Sequence, residues 1–268
     1  ATAGRGLAAE NALPPLPDWH VLEFEEKAFW ATARSRLEIV PVPGDTMLWE
    51  LDVLSSVVDN SEHIQVRFDP ATGAAVTRTR VSRGKQQRMK SYDYESDFIL
   101  RKRRNPGADP KAPPEEWPVA NSFKLRYPPS QGRTAAPVVT TPYLLVLLAQ
   151  RLQAQGPDKS LEVTVHTDLN FYRVRLTSGN GIPIKTDYAV NGGDRVRGEH
   201  ETLAVALQVT PLSTLEDKND FSLLGLQGDI ILFFDRDSGL PLQVRGIAPR
   251  IGKTDINLKS VTLRESGQ

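Results

Sequence analysis

The sequence predicts a mainly β protein: a single antiparallel meander curled into a barrel or partial barrel, or folded into two packed sheets, with one buried helix near residues 142–155. Three observations lead there. Apolar residues recur with period two over most of the chain, whereas helical spacing is convincing only once. Clusters of Asp, Pro, Gly and Ser punctuate those runs at hairpin distances. About a dozen strands result, and that many antiparallel strands curl or stack in preference to staying flat.

Residues 1–18 read as a flexible lead-in. Small residues from Ala1 and the run Pro14-Pro15-Leu16-Pro17 resemble the segment left after signal-peptide cleavage, or else a boundary without biological meaning. Residues 19–268 then form one antiparallel β domain. Residues 19–32 stay open between helix and strand, because Val21, Phe24, Ala28 and Phe29 fit helical spacing while their surroundings favour strands. Trp49, Leu51 and Val53 alternate with polar neighbours, as do Ile64, Val66 and Phe68; Asp69–Gly73 supplies the turn to the next strand. A second hairpin, at Ser82–Gln86, leads into residues 88–94, where Tyr92 and Tyr94 share a face.

Residues 105–142 contain nine prolines, which remove backbone donors and forbid a central strand for most of that length. The anchors Trp117, Phe123, Leu125 and Tyr127 make it a wrapping segment with one short strand near Ser122–Tyr127. The helix follows: Thr141 is placed to cap it, Pro142 suits its first position, and Gly156-Pro157 ends it. The meander resumes with Val163 and Val165, with Tyr172, Val174 and Leu176, with residues 182–190, and with Leu203 to Val209. Ile256 and Leu258 fall out of phase with Val261 and Leu263, as a β-bulge makes them.

The hairpin Gly225–Gly246 carries the sharpest question. Its first arm, Ile230 to Phe234, is apolar at every position, so both faces need cover. One set is expected against the helix and the other along the interior of the curved sheet, with Gly239 at positive φ in the turn.

Composition excludes several function classes. With no cysteine there is neither disulfide nor thiolate chemistry. The longest apolar run, Tyr143 to Ala149, is well short of the ~18–20 residues of a membrane-spanning helix. Zero formal net charge leaves no field for nucleic acid. Charge is nevertheless uneven: residues 78–104 hold ten basic and three acidic side chains, whereas residues 1–70 hold five and twelve. Arg78 and Arg80 share a strand face, where an acidic partner, anionic lipid head groups or the acidic N-terminal strands can meet them; a solvated outer face is the plainer alternative.

The runs Thr140–Leu152, Leu161–Ile184 and Gly228–Leu263 resemble a large uncharacterised family of exported, β-rich proteins of Gram-negative bacteria, known as a domain of unknown function. The features that carry the resemblance fall on Phe233, Phe234, Asp235 and Asp237, on Leu240 and Pro241, on Gly252, and on Leu258 and Leu263. The chain has Phe where the family usually has Trp. The resemblance, over roughly the C-terminal half, implies a periplasmic protein exported with a cleaved signal peptide and a curved antiparallel sheet; it implies no reaction.

No catalytic motif emerges. The four histidines, His20, His63, His166 and His200, have no metal-ligand spacing. His166 and Asp168 share a strand face, as a base and its orienting carboxylate would, or as ordinary strand residues. Asp194, Glu199, His200 and Glu201, and separately Asp235 to Gly239, read either as cation ligands or as the polar residues that hairpin turns need. The expectation is therefore a non-catalytic binding or carrier protein for a lipid or other hydrophobic molecule, without cofactor or metal. Its ligand-binding residues are Phe171, Tyr172, Phe233 and Phe234; Arg101, Lys102, Arg103 and Arg104 contact an anionic partner or membrane surface. An envelope-assembly scaffold that docks a protein partner is the second reading, and a hydrolase the third.

Overall fold

The computed structural model describes residues 13–28, 31–109, 111–129, 138–213 and 219–264. Residues 1–12, most of the expected lead-in, lie outside the described residues. Leu13 and Leu16 pack against the core, so the rest of the lead-in is held to the body.

Seventeen strands are present among the described residues: β1 (Trp19–Ala28), β2 (Ala31–Pro41), β3 (Trp49–Val57), β4 (Asn60–Phe68), β5 (Ala75–Arg83), β6 (Arg88–Tyr94), β7 (Phe98–Arg104), β8 (Val119–Arg126), β9 (Val139–Thr140), β10 (Ser160–His166), β11 (Phe171–Asn180), β12 (Ile184–Val190), β13 (Arg195–His200), β14 (Thr202–Ser213), β15 (Gln227–Asp235), β16 (Pro241–Ala248) and β17 (Gly252–Leu263). The described residues of the open stretch 19–32 thus resolve as strands, with Leu22 and Phe24 turned into the core; Phe29 and Trp30 lie outside the described residues.

Consecutive hairpins join β1 through β8. Strand β17 pairs with β1 and continues the ladder through β16, β15, β14, β11 and β10 to β9. All these pairings are antiparallel except the short one between β9 and β10. The hairpin β12–β13 joins from the side, where Ala189 and Val190 run parallel to Ser260 and Val261. The expected phase slip in β17 is a bulge, because Glu23 faces Ser260 while Phe24 faces Leu258 and Lys259 is the extra residue. The sheet is curled but not closed. Strands β8 and β9 end it, and among the described residues no backbone ladder joins them.

The helix α1 (Leu145–Gln153), preceded by a 3-10 turn at Pro142–Leu144, fills one end of the curl, and all nine of its residues are buried. Thr141 occupies the cap position but makes no side-chain cap bond, so the start is set by Pro142 and packing. Trp19 Nε1 donates to Gln150 Oε1 at 2.7 Å, Gln150 Nε2 donates to the Gly239 carbonyl at 2.8 Å, and Arg151 donates to the carbonyls of Leu13, Pro14 and Pro70. Gly73 lets the β4–β5 turn close over the helix: it has φ +75, and a Cβ there would lie 2.7 Å from Leu148 Cδ2. This plug packs into one core with residues of β1–β5, β10–β12 and β14–β17, where each buried Leu contributes about 1.5–3 kcal/mol. Among the described residues no helix is long and apolar enough to cross a membrane.

The doubly apolar arm meets its expectation on one face. Ile230, Leu232 and Phe234 join the core with the helix. Phe233 points the other way and is shielded by Arg245, whose guanidinium carbon lies 5.2 Å from the ring centre. Phe233 therefore lies on the face away from the helix and not along the interior it was expected to line.

The inward face changes character along the strands. Near the helix it is apolar: Ile39 and Leu37 on β2, Leu51 and Val53 on β3, Phe68, Val66 and Ile64 on β4. Two residues further along each strand the same faces carry Ser35, Ser55 and Glu62, and on β5–β7 they carry Arg78, Arg80, Lys90, Arg88, Arg101 and Arg103. These six cations of the basic strands therefore point into the curl, not outward to a solvated face. An inward guanidinium is costly unless paired or wet, which explains why the interior is open at this end.

Candidate functional site

The open end is a cavity of about 950 Å³. Pro142 and Tyr143, at the start of the helix segment, and Ile64 of β4 form part of its lining at depth; Val57, Leu224, Ala248, Pro249 and Ile251 give it an apolar lip. The basic face of β5–β7 forms a further wall. A second space of about 510 Å³, beside Phe24 and Leu54, shares Arg34, Ser35, Ser55, Ser56, Ser61 and Glu62 with it. The volume is in the range of small-molecule sites, roughly 300–1,000 Å³.

Strand register builds the wall. Arg78 stands opposite Tyr92, and Tyr92 opposite Arg101; one rung further out, Arg80 stands opposite Lys90, and Lys90 opposite Arg103. The β10–β11 turn reaches across the open seam and meets the first rung. Asp168 accepts from Arg101 Nε at 2.8 Å, from Tyr92 Oη at 2.6 Å and from Lys90 Nζ. Arg78 donates to the carbonyls of His166 and Thr167 and lies 3.8 Å over the Tyr92 ring. Burial would raise the Asp168 carboxyl, but the hydrogen bonds from Arg101 and Lys90 outweigh it and hold it well below the usual carboxylate range. Burial pulls Lys90 down to about 8 against the attraction of Asp168. A small apolar cluster of Tyr92, Ile99, Leu125, Val139 and Phe171 completes the seam.

His166 lies within this seam, fully buried, its ring centre 4.9 Å from that of Phe171 and 5.4 Å from that of Tyr92. Burial and the nearby Arg78 hold it well below its usual pKa. Its Nδ1 lies 3.3 Å from Tyr94 Oη and its Nε2 has no partner, while Asp168 is committed to the cations. The two residues do not form a base with its orienting carboxylate, because side chains of the barrel interior claim each of them. Asp220 braces the same turn, accepting from both Thr167 Oγ1 and Tyr172 Oη at 2.8 Å.

The four aromatics expected to hold ligand do not border the cavity. Phe171 sits in the seam, Tyr172 and Phe234 in the core, and Phe233 under Arg245. Packing uses all four: Tyr172 and Phe234 fill the main core, Phe171 the seam cluster, and Phe233 the face away from the helix. The basic run is split by strand alternation: Arg101 and Arg103 border the cavity, whereas Lys102 reaches toward Asp93 at 4.0 Å and Arg104 donates to the Trp117 carbonyl. What sequence reasoning missed is the inward direction of Arg78, Arg80, Arg88 and Lys90. The signal was available: Arg88 and Lys90 share the phase of Tyr92 and Tyr94.

The other candidates are structural. Asp235 accepts from Ser238 N at 2.9 Å and Ser238 Oγ at 2.6 Å, closing the turn, and lies 3.0 Å from His200 Nδ1. Among the described residues, no three His, Asp or Glu side chains gather as a metal would require.

No family model matches the sequence, and no curated protein does. Among solved structures the chain is similar to a β-barrel-like protein of a domain of unknown function, DUF1849, from Brucella abortus, at 11% sequence identity and a TM-score of 0.50, over 95% of this chain and 100% of that one. At this identity the likeness is one of fold: a mostly β, barrel-like architecture shared with an uncharacterised protein.

Proposed function

We propose that the protein is a non-catalytic carrier that holds a lipid-like molecule in the cup between the helix plug and the open end of the sheet, and that it works in the periplasm. One observation carries the proposal: the 950 Å³ cavity combines an apolar lip and floor with polar walls, inside a curled sheet whose other end is sealed. Curled antiparallel sheets of this kind enclose ligands in their mouths. The compartment rests on the resemblance of the C-terminal half to exported proteins. A docking role for the basic strands is less well supported, because six of their cations turn inward.

Titration with a fluorescent fatty acid tests the reading. Saturable binding of one probe per chain, displaced by unlabelled dodecanoic acid, is expected. Absence of saturable binding overturns it.

A further inference from the structure

The seam gives Arg78, Lys90 and Arg101 a role in folding, but it does not account for the whole arrangement of cations on β5–β7. Like charges directly opposite on neighbouring strands are destabilising, yet Arg80, Lys90 and Arg103 form such a row across three strands. Carboxylates compensate only part of it. Glu62 pairs with Arg80, and Asp168 is shared between Lys90 and Arg101. Arg103 donates to the amide oxygen of Asn105, and among the described residues Arg88 has no carboxylate within ion-pair distance. The cavity is bordered by seven cations (Arg34, Arg78, Arg80, Arg88, Lys90, Arg101 and Arg103) and four carboxylates (Glu26, Glu62, Asp168 and Asp220), in a chain of zero formal net charge. An independent observation points the same way. Arg78 is 3% exposed, borders the cavity, and its Nε has no partner. A buried donor left unpaired is costly, and such groups are normally satisfied.

We propose that this wall is an anion subsite: Arg78, Arg80, Arg88, Lys90 and Arg103 receive the carboxylate or phosphate group of the bound molecule, while its apolar part lies toward the lip and floor. The ligand class is then an anionic amphiphile. Guanidinium groups suit both head groups, because their planar forks hydrogen-bond two oxygens at once. The inference rests on the carrier reading for its apolar half and on the cation row for its polar half.

Three probes separate the two halves: dodecanoic acid, its methyl ester, and inorganic phosphate alone, each titrated by calorimetry into the full chain and into the double variant Arg88→Gln/Arg103→Gln. The variant keeps the buried rung intact. The acid is expected to bind at least tenfold more tightly than the ester, to lose that advantage in the variant, and to be displaced by millimolar phosphate. Equal affinity for acid and ester in the parent protein overturns the anion subsite and leaves the carrier reading standing. Phosphate binding that the variant abolishes, with neither acid nor ester bound, supports the subsite and removes the lipid. An acid affinity indifferent to both substitutions also overturns the subsite, as does failure of all three probes to bind.

Discussion

Arg101 Nε donates to Asp168 Oδ1 at 2.8 Å across the gap between β8 and β9, which no backbone ladder bridges among the described residues. Arg101 belongs to β7 and Asp168 to the β10–β11 turn, so the bond joins the two ends of the sheet through side chains. With Lys90 and Tyr92 on the same carboxylate, the seam behaves as a buried ionic clasp.

Asp168→Asn therefore leaves two largely buried cations without their anion. Removing one partner of a buried pair costs about 3–5 kcal/mol; because the Asp168 side chain is 25% exposed, the lower end is expected here. Urea unfolding followed by far-UV circular dichroism measures it. A midpoint equal to that of the parent contradicts the clasp.

The same carboxylate sets an acid dependence. Its folded pKa is depressed, so its contribution is fully present above the unfolded value near 4 and is lost as pH falls below that value. The parent is expected to lose stability from about pH 4 downward more steeply than Asp168→Asn does. Parallel acid limbs in the two proteins count against the assignment.

Strand alternation predicts opposite outcomes for neighbouring positions. Arg101→Gln removes the buried partner of Asp168 and is expected to cost on the order of 3 kcal/mol. Lys102, 39% exposed, faces outward, and Lys102→Gln is expected to stay within about 0.5 kcal/mol of the parent. Thermal unfolding of both variants checks the pair, and equal losses would place β7 in the wrong register.

Gly239 tests the attachment of the plug. Its φ is +69, a Cβ there would lie 3.1 Å from Gln153 Nε2, and its carbonyl accepts from Gln150. Gly239→Val is expected to cost about 1–3 kcal/mol through left-handed backbone strain, before any displacement of the helix. An unchanged melting curve would remove the turn from the account.

Much of this fold is written in local pattern. The alternation Leu51, Val53 and Ile64, Val66, Phe68 announces its strands, the bulge at Lys259 shows as a phase slip, and Gly239 marks its turn. The site was less legible, because period two assigns a residue to a face but not that face to inside or outside. For β5–β7, charge argued for outside; the shared phase of Lys90 with Tyr92 argued for inside, and only the curl of the whole sheet decides between them. Asp168 and Arg101 are 67 residues apart, so nothing local pairs them. Phe233 and Phe234 drew attention for their size, yet large aromatics more often fill a core than line a cavity.

The proposed carrier function requires the space inside the curl to be a binding cavity. Ser55 borders it and faces Ser35 with 3.1 Å between their hydroxyl oxygens, so Ser55→Trp places an indole in the space without touching the clasp or the plug. Fluorescent fatty-acid titration of parent and Ser55→Trp, with unfolding midpoints measured alongside, is the most direct test. One saturable site is expected in the parent and at least a tenfold weaker one in a variant that remains folded. Undiminished binding by the folded variant, or no binding by either protein, would contradict it.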